Sequence, residues 1–395
     1  MKTIFDTYSE KEIEDILRKI SLLLENKKDK EIIEKNKIEF IEELLSIAKA
    51  RKRASESKSK FLDLKYFNEE DLRFSTPKDV ADYRSKKLRC SRIVDLCSGI
   101  GSQSVSFLKT CKNVLAVEID ERKIKYAEMN DKSKRIKFLC GDILSENIIE
   151  EVRKFKPDVI FCDPERLEEE KERSLESITP NLKKIIEIYS KVPNLCVEVP
   201  PQIEKEKLKE LEESGEFEAE YLSYNNKLNR LDLYFGELKK TEVSVADVSG
   251  AKIEKSNQAK AKTASLPSKY IYEVSTAITK AGLENEFALL MNAEILSTEK
   301  NKLILTSDEA SKTSEAKAFS KIYRVLGFSE NFKYTIQILK NNRIGKVVLK
   351  KNVSPENYWQ ERKKYEKSLL GKKEACLFSI KFQGKEVEII AEEIH

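Results

Sequence analysis

The stretch Arg92-Ile-Val-Asp-Leu-Cys-Ser-Gly-Ile-Gly-Ser102 decides how this chain folds. Ile93, Val94 and Leu96 make a short apolar run suited to a strand buried on both faces. Asp95 lies in that run, the pair Gly99/Gly101 follows, and apolar residues return at helical spacing at Val105, Phe107 and Leu108. The pattern is strand, glycine turn, helix. Glycines at such a turn let a ligand lie against backbone N–H groups at the helix start.

A GxG alone would suit any tight strand-to-helix turn. The runs that follow it raise the signal. Val114–Asp120 ends in carboxylates, with Glu118 placed to accept both hydroxyls of a ribose. Ile136–Asp142 ends in another acid, and Asp158–Pro164 carries Asp163 at its end. Four strand ends in order, each with an acid, suit a site at the carboxyl edge of a parallel sheet. An NAD-binding domain would want GxGxxG, whereas Ser104 stands where the third glycine belongs.

The same motifs carry a resemblance. DLCSGIG at 95–101, AVEID at 116–120, CGDI at 140–143 and FCDP at 161–164 resemble the successive motifs of class I S-adenosylmethionine-dependent methyltransferases. The resemblance implies a Rossmann-like α/β fold and S-adenosylmethionine as cofactor. It sets Ser98, Gly99 and Gly101 beside the methionine portion, with Asp95 on its ammonium directly or through water. Glu118 would bind the ribose, Ile119 would pack on adenine, and Asp142 with Ile143 would meet the adenine edge. Taken without the resemblance, Glu118 also reads as a surface acid at a strand end. Gly141-Asp142 also reads as an ordinary turn.

Length and composition bound the rest. A chain of 395 residues exceeds one ordinary core, so two or three domains are expected. Hydrophobic content of 40% is enough to build them, and 36% charged residues with heavy Lys and Glu usage suit a prokaryotic protein. The net charge of +5 permits nucleic acid without demanding it. Seven cysteines with no CxxC pair argue for a reducing compartment. No apolar run reaches transmembrane length and Met1–Asp6 does not open a signal peptide, so a cytoplasmic protein without membrane contact is expected. The single histidine is His395, which excludes Ser-His-Asp and Cys-His catalysis within this sequence and leaves no metal site to expect.

Ser9 with Glu12 reads as a capping box, and Ile13, Ile16, Leu17, Ile20, Leu23 and Leu24 follow at helical spacing. Ile38, Ile41, Leu44, Leu45 and Ala48 give a second amphipathic helix, so 1–60 is expected to be a helical region built on a hairpin, its stripe packed on the domain behind it or offered to a partner. The basic, Ser-rich stretch 50–60 reads as a solvated connector or as an element touching phosphate. Thr76 suits an N-cap with Pro77 at the first helical position. A similar Thr-Pro-x-x-x-Ala helix precedes the first strand in several RNA methyltransferases, including cap trimethylguanosine synthase-like enzymes. By that resemblance Thr76 and Arg84 face the substrate; otherwise Arg84 pairs with a surface acid.

Residues 61–240 are expected to form the catalytic domain, ending in a hairpin of Phe217–Tyr224 and Arg230–Phe235. Residues 241–268 lack aromatics and read as a linker with one strand around Val243–Ile253. From 269 to 395 an α+β pattern resembles the THUMP-like domain carried behind the catalytic domain by one group of prokaryotic methyltransferases. That group runs Asp-Pro-Ala-Arg where this chain has Asp163-Pro164-Glu165-Arg166. THUMP domains present RNA to a tethered methylase.

Asp163, Pro164 and Arg166 occupy the acceptor loop. Enzymes that methylate exocyclic base amines carry Asp or Asn, two prolines and an aromatic there; this chain departs after Pro164. Asp163 would accept or orient the acceptor's N–H, and Arg166 would bind phosphate or pair with one of Glu168–Glu170. Cys162 and Cys196 read as buried structural thiols, against covalent C5 chemistry. Arg343, Lys346 and Lys350 lie on a basic turn and strand usable as a phosphate track, or on an edge strand guarded by cations. The leading expectation is methylation of a base in tRNA or rRNA. A small-molecule or protein acceptor, and a non-catalytic RNA-binding protein that keeps the pocket, are the alternatives.

Overall fold

The computed structural model describes residues 2–25, 29–35, 37–56, 64–166, 175, 177–299 and 302–394. It divides into two compact units, Met1–Glu218 with Asp232–Lys240, and Ala219–Leu231 with Thr241–His395.

The first unit is built on β1 (Arg92–Leu96), β2 (Asn113–Glu118), β3 (Ile136–Cys140), β4 (Val159–Cys162), β7 (Asn194–Val199) and the later half of β9 (Lys227–Gly236), with a short ladder of β5 (Glu165–Arg166) and β6 (Ile178–Thr179) beside β4 in sequence. Its strand order is β9-β7-β4-β1-β2-β3. β1 pairs parallel with both β2 and β4, β2 with β3, and β4 with β7. Helices intervene at Ser102–Phe107, Glu121–Asn130, Glu146–Phe155 and Leu182–Tyr189. β1 and β4 sit in the middle, so their side chains are buried on both faces, as the unbroken apolar runs require. The expected Rossmann-like α/β architecture is what the chain adopts.

The N-terminal helices follow their caps. Ser9 and Glu12 form the capping box, Ser9 N–H donating to Glu12 Oε2 at 2.8 Å. Helix Glu10–Leu23 buries Ile13, Leu17 and Ile20, and packs against helix Ile41–Glu56. Two short helices not expected from periodicity, Ile4–Thr7 and Asp29–Lys35, complete the group. Their apolar stripe does not await a partner. It forms one core with Tyr66, Phe67, Ile100 and Tyr126, so the helices rest on the glycine turn and on helix Glu121–Asn130.

In the second unit β8 (Phe217–Tyr224) pairs parallel with β10 (Val243–Asp247), which pairs antiparallel with β11 (Lys252–Glu254). The expected single strand at 243–253 is therefore a pair. Asn225 and Asn226, both at positive φ, make the two-residue turn between β8 and β9. A second sheet has the order β13-β14-β12-β15-β18-β17-β16, from β12 (Tyr270–Val274), β13 (Glu294–Ser297), β14 (Ile304–Ser307), β15 (Ser320–Ser329), β16 (Ile344–Leu349), β17 (Lys373–Phe382) and β18 (Lys385–Ile394). It is antiparallel except where β16 meets β17, and β16 is its edge. Among the described residues no helix is long and apolar enough to cross a membrane.

Candidate active site

After β1 the backbone turns sharply. Cys97, Gly99 and Gly101 all take positive φ, at 61°, 54° and 81°. At Gly101 a Cβ would also lie 3.1 Å from the Ala127 Cβ, so glycine is required both for conformation and for the approach of helix Glu121–Asn130. A Cβ at Gly99 would meet nothing within 4 Å, so that side of the turn is open.

Glu118, at the end of β2, is not a loose surface acid. It is buried, its Oε2 accepts from Gly99 N–H at 2.8 Å, and its Oε1 accepts from Ile119 and Asp120 N–H at 2.9 and 3.1 Å. Backbone donors thus fix the carboxylate in place. Ile119 beside it is 68% exposed, a bare apolar side chain at the sheet's carboxyl edge. Asp120 caps the next helix through Arg122 and Lys123 N–H.

Asp95 is fully buried and accepts from the Ser104 hydroxyl. Serine at the supposed third-glycine position therefore has its own task. Burial pushes the Asp95 carboxyl up to about 7, with Asp163 and Glu118 adding to the rise. Ser98 is buried as well, and its hydroxyl has no hydrogen-bond partner among the described residues. Asp163 follows β4, half-buried, its N–H donating to Leu96 O at 3.4 Å; Pro164 is buried. Three carboxyls, Asp95, Glu118 and Asp163, thus surround the glycine turn.

Asp142 and Ile143 follow β3. Ile143 is buried, and its carbonyl accepts from the Tyr189 hydroxyl at 2.6 Å. Asp142 is exposed and accepts from Leu144 N–H at 2.8 Å, the turn contact that Gly-Asp also predicts. Arg166 lies on β5, and its side chain, like Glu168–Glu170, is outside the described residues.

Arg84 corrects the sequence reading most. It does not face a substrate. The guanidinium is completely buried, with Nη2 donating to Glu198 at 2.7 Å and to Asp232 at 2.8 Å, and Nη1 to Gln103 at 3.1 Å. It also lies 4.5 Å over the Phe161 ring. A charge buried this completely demands such partners. Thr76 is buried too, and the helix begins at Lys78, one residue later than expected, with Pro77 in the cap position.

The basic stretches divide. Arg51 makes a two-pronged pair with Glu14 and Arg53 pairs with Glu69, so these cations of 50–60 are held internally; 57–60 lie outside the described residues. In the second unit Lys350 is half-buried and paired with Glu273 at 2.8 Å, not offered to a phosphate. Arg343 and Lys346 are exposed. Cys162 and Cys196 are buried, and burial pushes the Cys162 thiol up, away from a nucleophilic thiolate.

Sequence reasoning missed Asn130. Its Oδ1 accepts from Lys65 and Tyr66 N–H, both at 2.9 Å, and its Nδ2 donates to Tyr66 O and Ile100 O. One amide thereby ties the segment after the N-terminal helices to the glycine turn. An asparagine near the end of a helix gives no local signal for such a role.

Residues 90–166 match the family model described as RNA cap guanine-N2 methyltransferase. The fold is shared with a crystal structure from Porphyromonas gingivalis W83, a protein whose methyltransferase assignment is itself provisional: TM-score 0.75, 16% identity, 98% of this chain and 100% of that one. The chain is a methyltransferase. An S-adenosylmethionine-dependent methyltransferase from Clostridium acetobutylicum ATCC 824 matches 32% of this chain and 52% of its own at 20% identity, TM-score 0.25. One from Agrobacterium tumefaciens matches 35% and 50% at 17% identity, TM-score 0.28. Scores this low carry no structural inference. The family match spans β1 to β5, the segment that holds Asp95, Glu118 and Asp163.

Proposed function

We propose that this methyltransferase uses S-adenosylmethionine to methylate RNA, at a base of tRNA or rRNA. The observation that carries the reading is the set of three carboxyls around an open glycine turn, inside a segment matching a family of RNA methyltransferases. The residues present fit the cofactor. A ligand bearing a sulfonium and an ammonium suits a site where burial raises the Asp95 carboxyl to about 7 and Asp163 and Glu118 stand close by. The unpartnered Ser98 hydroxyl would face the methionine portion, Glu118 keeps acceptor capacity on Oε2 for a ribose hydroxyl, and exposed Ile119 would cover adenine.

When bound, S-adenosylmethionine supplies a methyl group already activated toward nucleophiles, so the protein needs little covalent chemistry. Asp163 would accept a hydrogen bond from the acceptor's N–H and hold its lone pair in line. Buried Pro164 stiffens the turn that carries it. Asp95 and Glu118 hold positive charge and ribose on the other side. The acceptor side departs from the amine-methylating pattern at Glu165, so the ring atom is not assigned.

By the same reading residues 61–240 are the catalytic domain and 269–395 a THUMP-like domain that offers RNA, with exposed Arg343 and Lys346 as phosphate contacts. The deciding experiment is mass spectrometry of nucleosides from cellular RNA with and without the gene. Loss of one methylated nucleoside from tRNA or rRNA supports the reading. An unchanged RNA profile beside an undermethylated metabolite or protein overturns it.

A further inference from the structure

Two helices of the second unit, Phe332–Asn341 and Tyr358–Glu366, lie on one face of its second sheet. Thr335 from the first donates to Glu388 of β18 at 3.0 Å, and Tyr365 from the second bonds the same carboxylate. The Phe332 and Tyr365 rings meet with centroids 5.0 Å apart. This inner side is a packed, paired layer. The two helices nevertheless expose large rings: Phe332 is 47% exposed, Tyr334 60% and Trp359 64%. Arg362 lies over the Trp359 ring at 5.4 Å.

The charge around these rings is one-sided. Residues 332–341 and 358–373 carry eight lysines and arginines against two glutamates, an excess larger than the +5 of the whole chain. Glu361 and Glu366 are engaged by Lys364 and Arg362, while Lys333, Lys363 and Lys367 are exposed on or at the end of the same two helices. A protein interface would bury the rings in a patch depleted of lysine. A second copy of the chain would set cation against cation across a symmetric contact. Flat rings fringed by cations match a polyanion whose bases expose π-faces.

We propose that this helical layer is a stacking platform for unpaired bases of RNA, with Trp359 and Tyr334 taking bases and the lysines tracking phosphates. The inference rests on the reading of RNA as substrate and names where the RNA is gripped. Base stacking tolerates sequence, so the platform would select single-stranded loops or ends over duplex.

Trp359 is the single tryptophan of the sequence, so the full-length protein reports on this layer without a label. Its fluorescence should fall, saturably and with strong salt dependence, as a short oligouridine is added, and much less with a duplex of equal length. By filter binding, a Trp359→Leu/Tyr334→Ala variant should hold the oligouridine about tenfold less tightly, while Trp359→Phe, which keeps a ring, stays within a few fold. If oligouridine and bulk tRNA bind but Trp359 is not quenched and the double variant binds as tightly, the platform is wrong and the RNA reading stands. If neither binds at any salt, the RNA reading fails and takes the platform with it. A Trp359 signal that changes on diluting the protein alone would mean that a second copy covers this face, which also overturns the proposal.

Discussion

Glu118 accepts a 2.8 Å hydrogen bond from the backbone N–H of Gly99. The contact joins the end of β2 to the turn after β1, so the acid proposed for the ribose and the turn proposed for the methionine portion are mechanically one piece. Glu118→Ala removes that link and two further backbone contacts. Binding of S-adenosylhomocysteine should weaken at least tenfold, about 1.4 kcal/mol, by calorimetry. Unchanged affinity in a folded variant would move the ribose elsewhere.

Asp95 makes the pH dependence predictable. Its carboxyl rises from 3.8 to about 7, burial being the main cause. The folded protein then keeps a proton that the unfolded chain gives up near pH 4. This group's contribution to stability is fully present below that pH and is lost as pH rises to about 7, at no more than about 1.4 kcal/mol per pH unit. Asp95→Asn should flatten denaturation midpoints across that window. A cationic ligand favours the ionised carboxyl, so cofactor binding should tighten with rising pH and release a proton. Calorimetric enthalpies that do not depend on buffer ionisation near pH 6.5 would contradict this.

Asp163 serves the acceptor on the proposed mechanism. Asp163→Ala should abolish most turnover, a loss of orders of magnitude, while cofactor affinity stays within a few fold. Normal turnover with lost cofactor binding would put this loop under the cofactor.

Arg84 tests structure against sequence most directly. Arg84→Met leaves Glu198 and Asp232 buried without their cation, a loss of about 3–5 kcal/mol in urea denaturation. Arg84→Lys keeps the charge but lacks the planar fork that reaches both carboxylates and Gln103, so its stability should fall between the two. A stable Arg84→Met enzyme with only RNA affinity reduced would restore the substrate-facing role.

The central strands were legible because burial on both faces writes an unbroken apolar run, as in Ile93–Leu96 and Val159–Cys162. The capping box at Ser9 and the stripe Ile13, Leu17, Ile20 were legible because their partners lie within a few residues. The carboxyl-edge acids could be ordered because each lies in or just past the last residues of its own strand. What misled were residues whose type is ambiguous and whose partners are remote. Arg84 looks like any surface cation until Glu198 and Asp232 claim it, and Lys350 belongs to a basic run until Glu273 claims it.

By itself, then, the amino-acid order determined the parallel sheet, the glycine turn and which acids stand at its edge, because periodicity, chirality and backbone freedom act over a few residues. Only the tertiary structure decided what each charged group does. Arg84 meets Glu198 and Asp232 across 114 and 148 residues of chain, and Asn130 reaches back 64 to Tyr66. A buried charge must find its counter-charge wherever folding brings one, and that choice is made by packing, not by any local pattern.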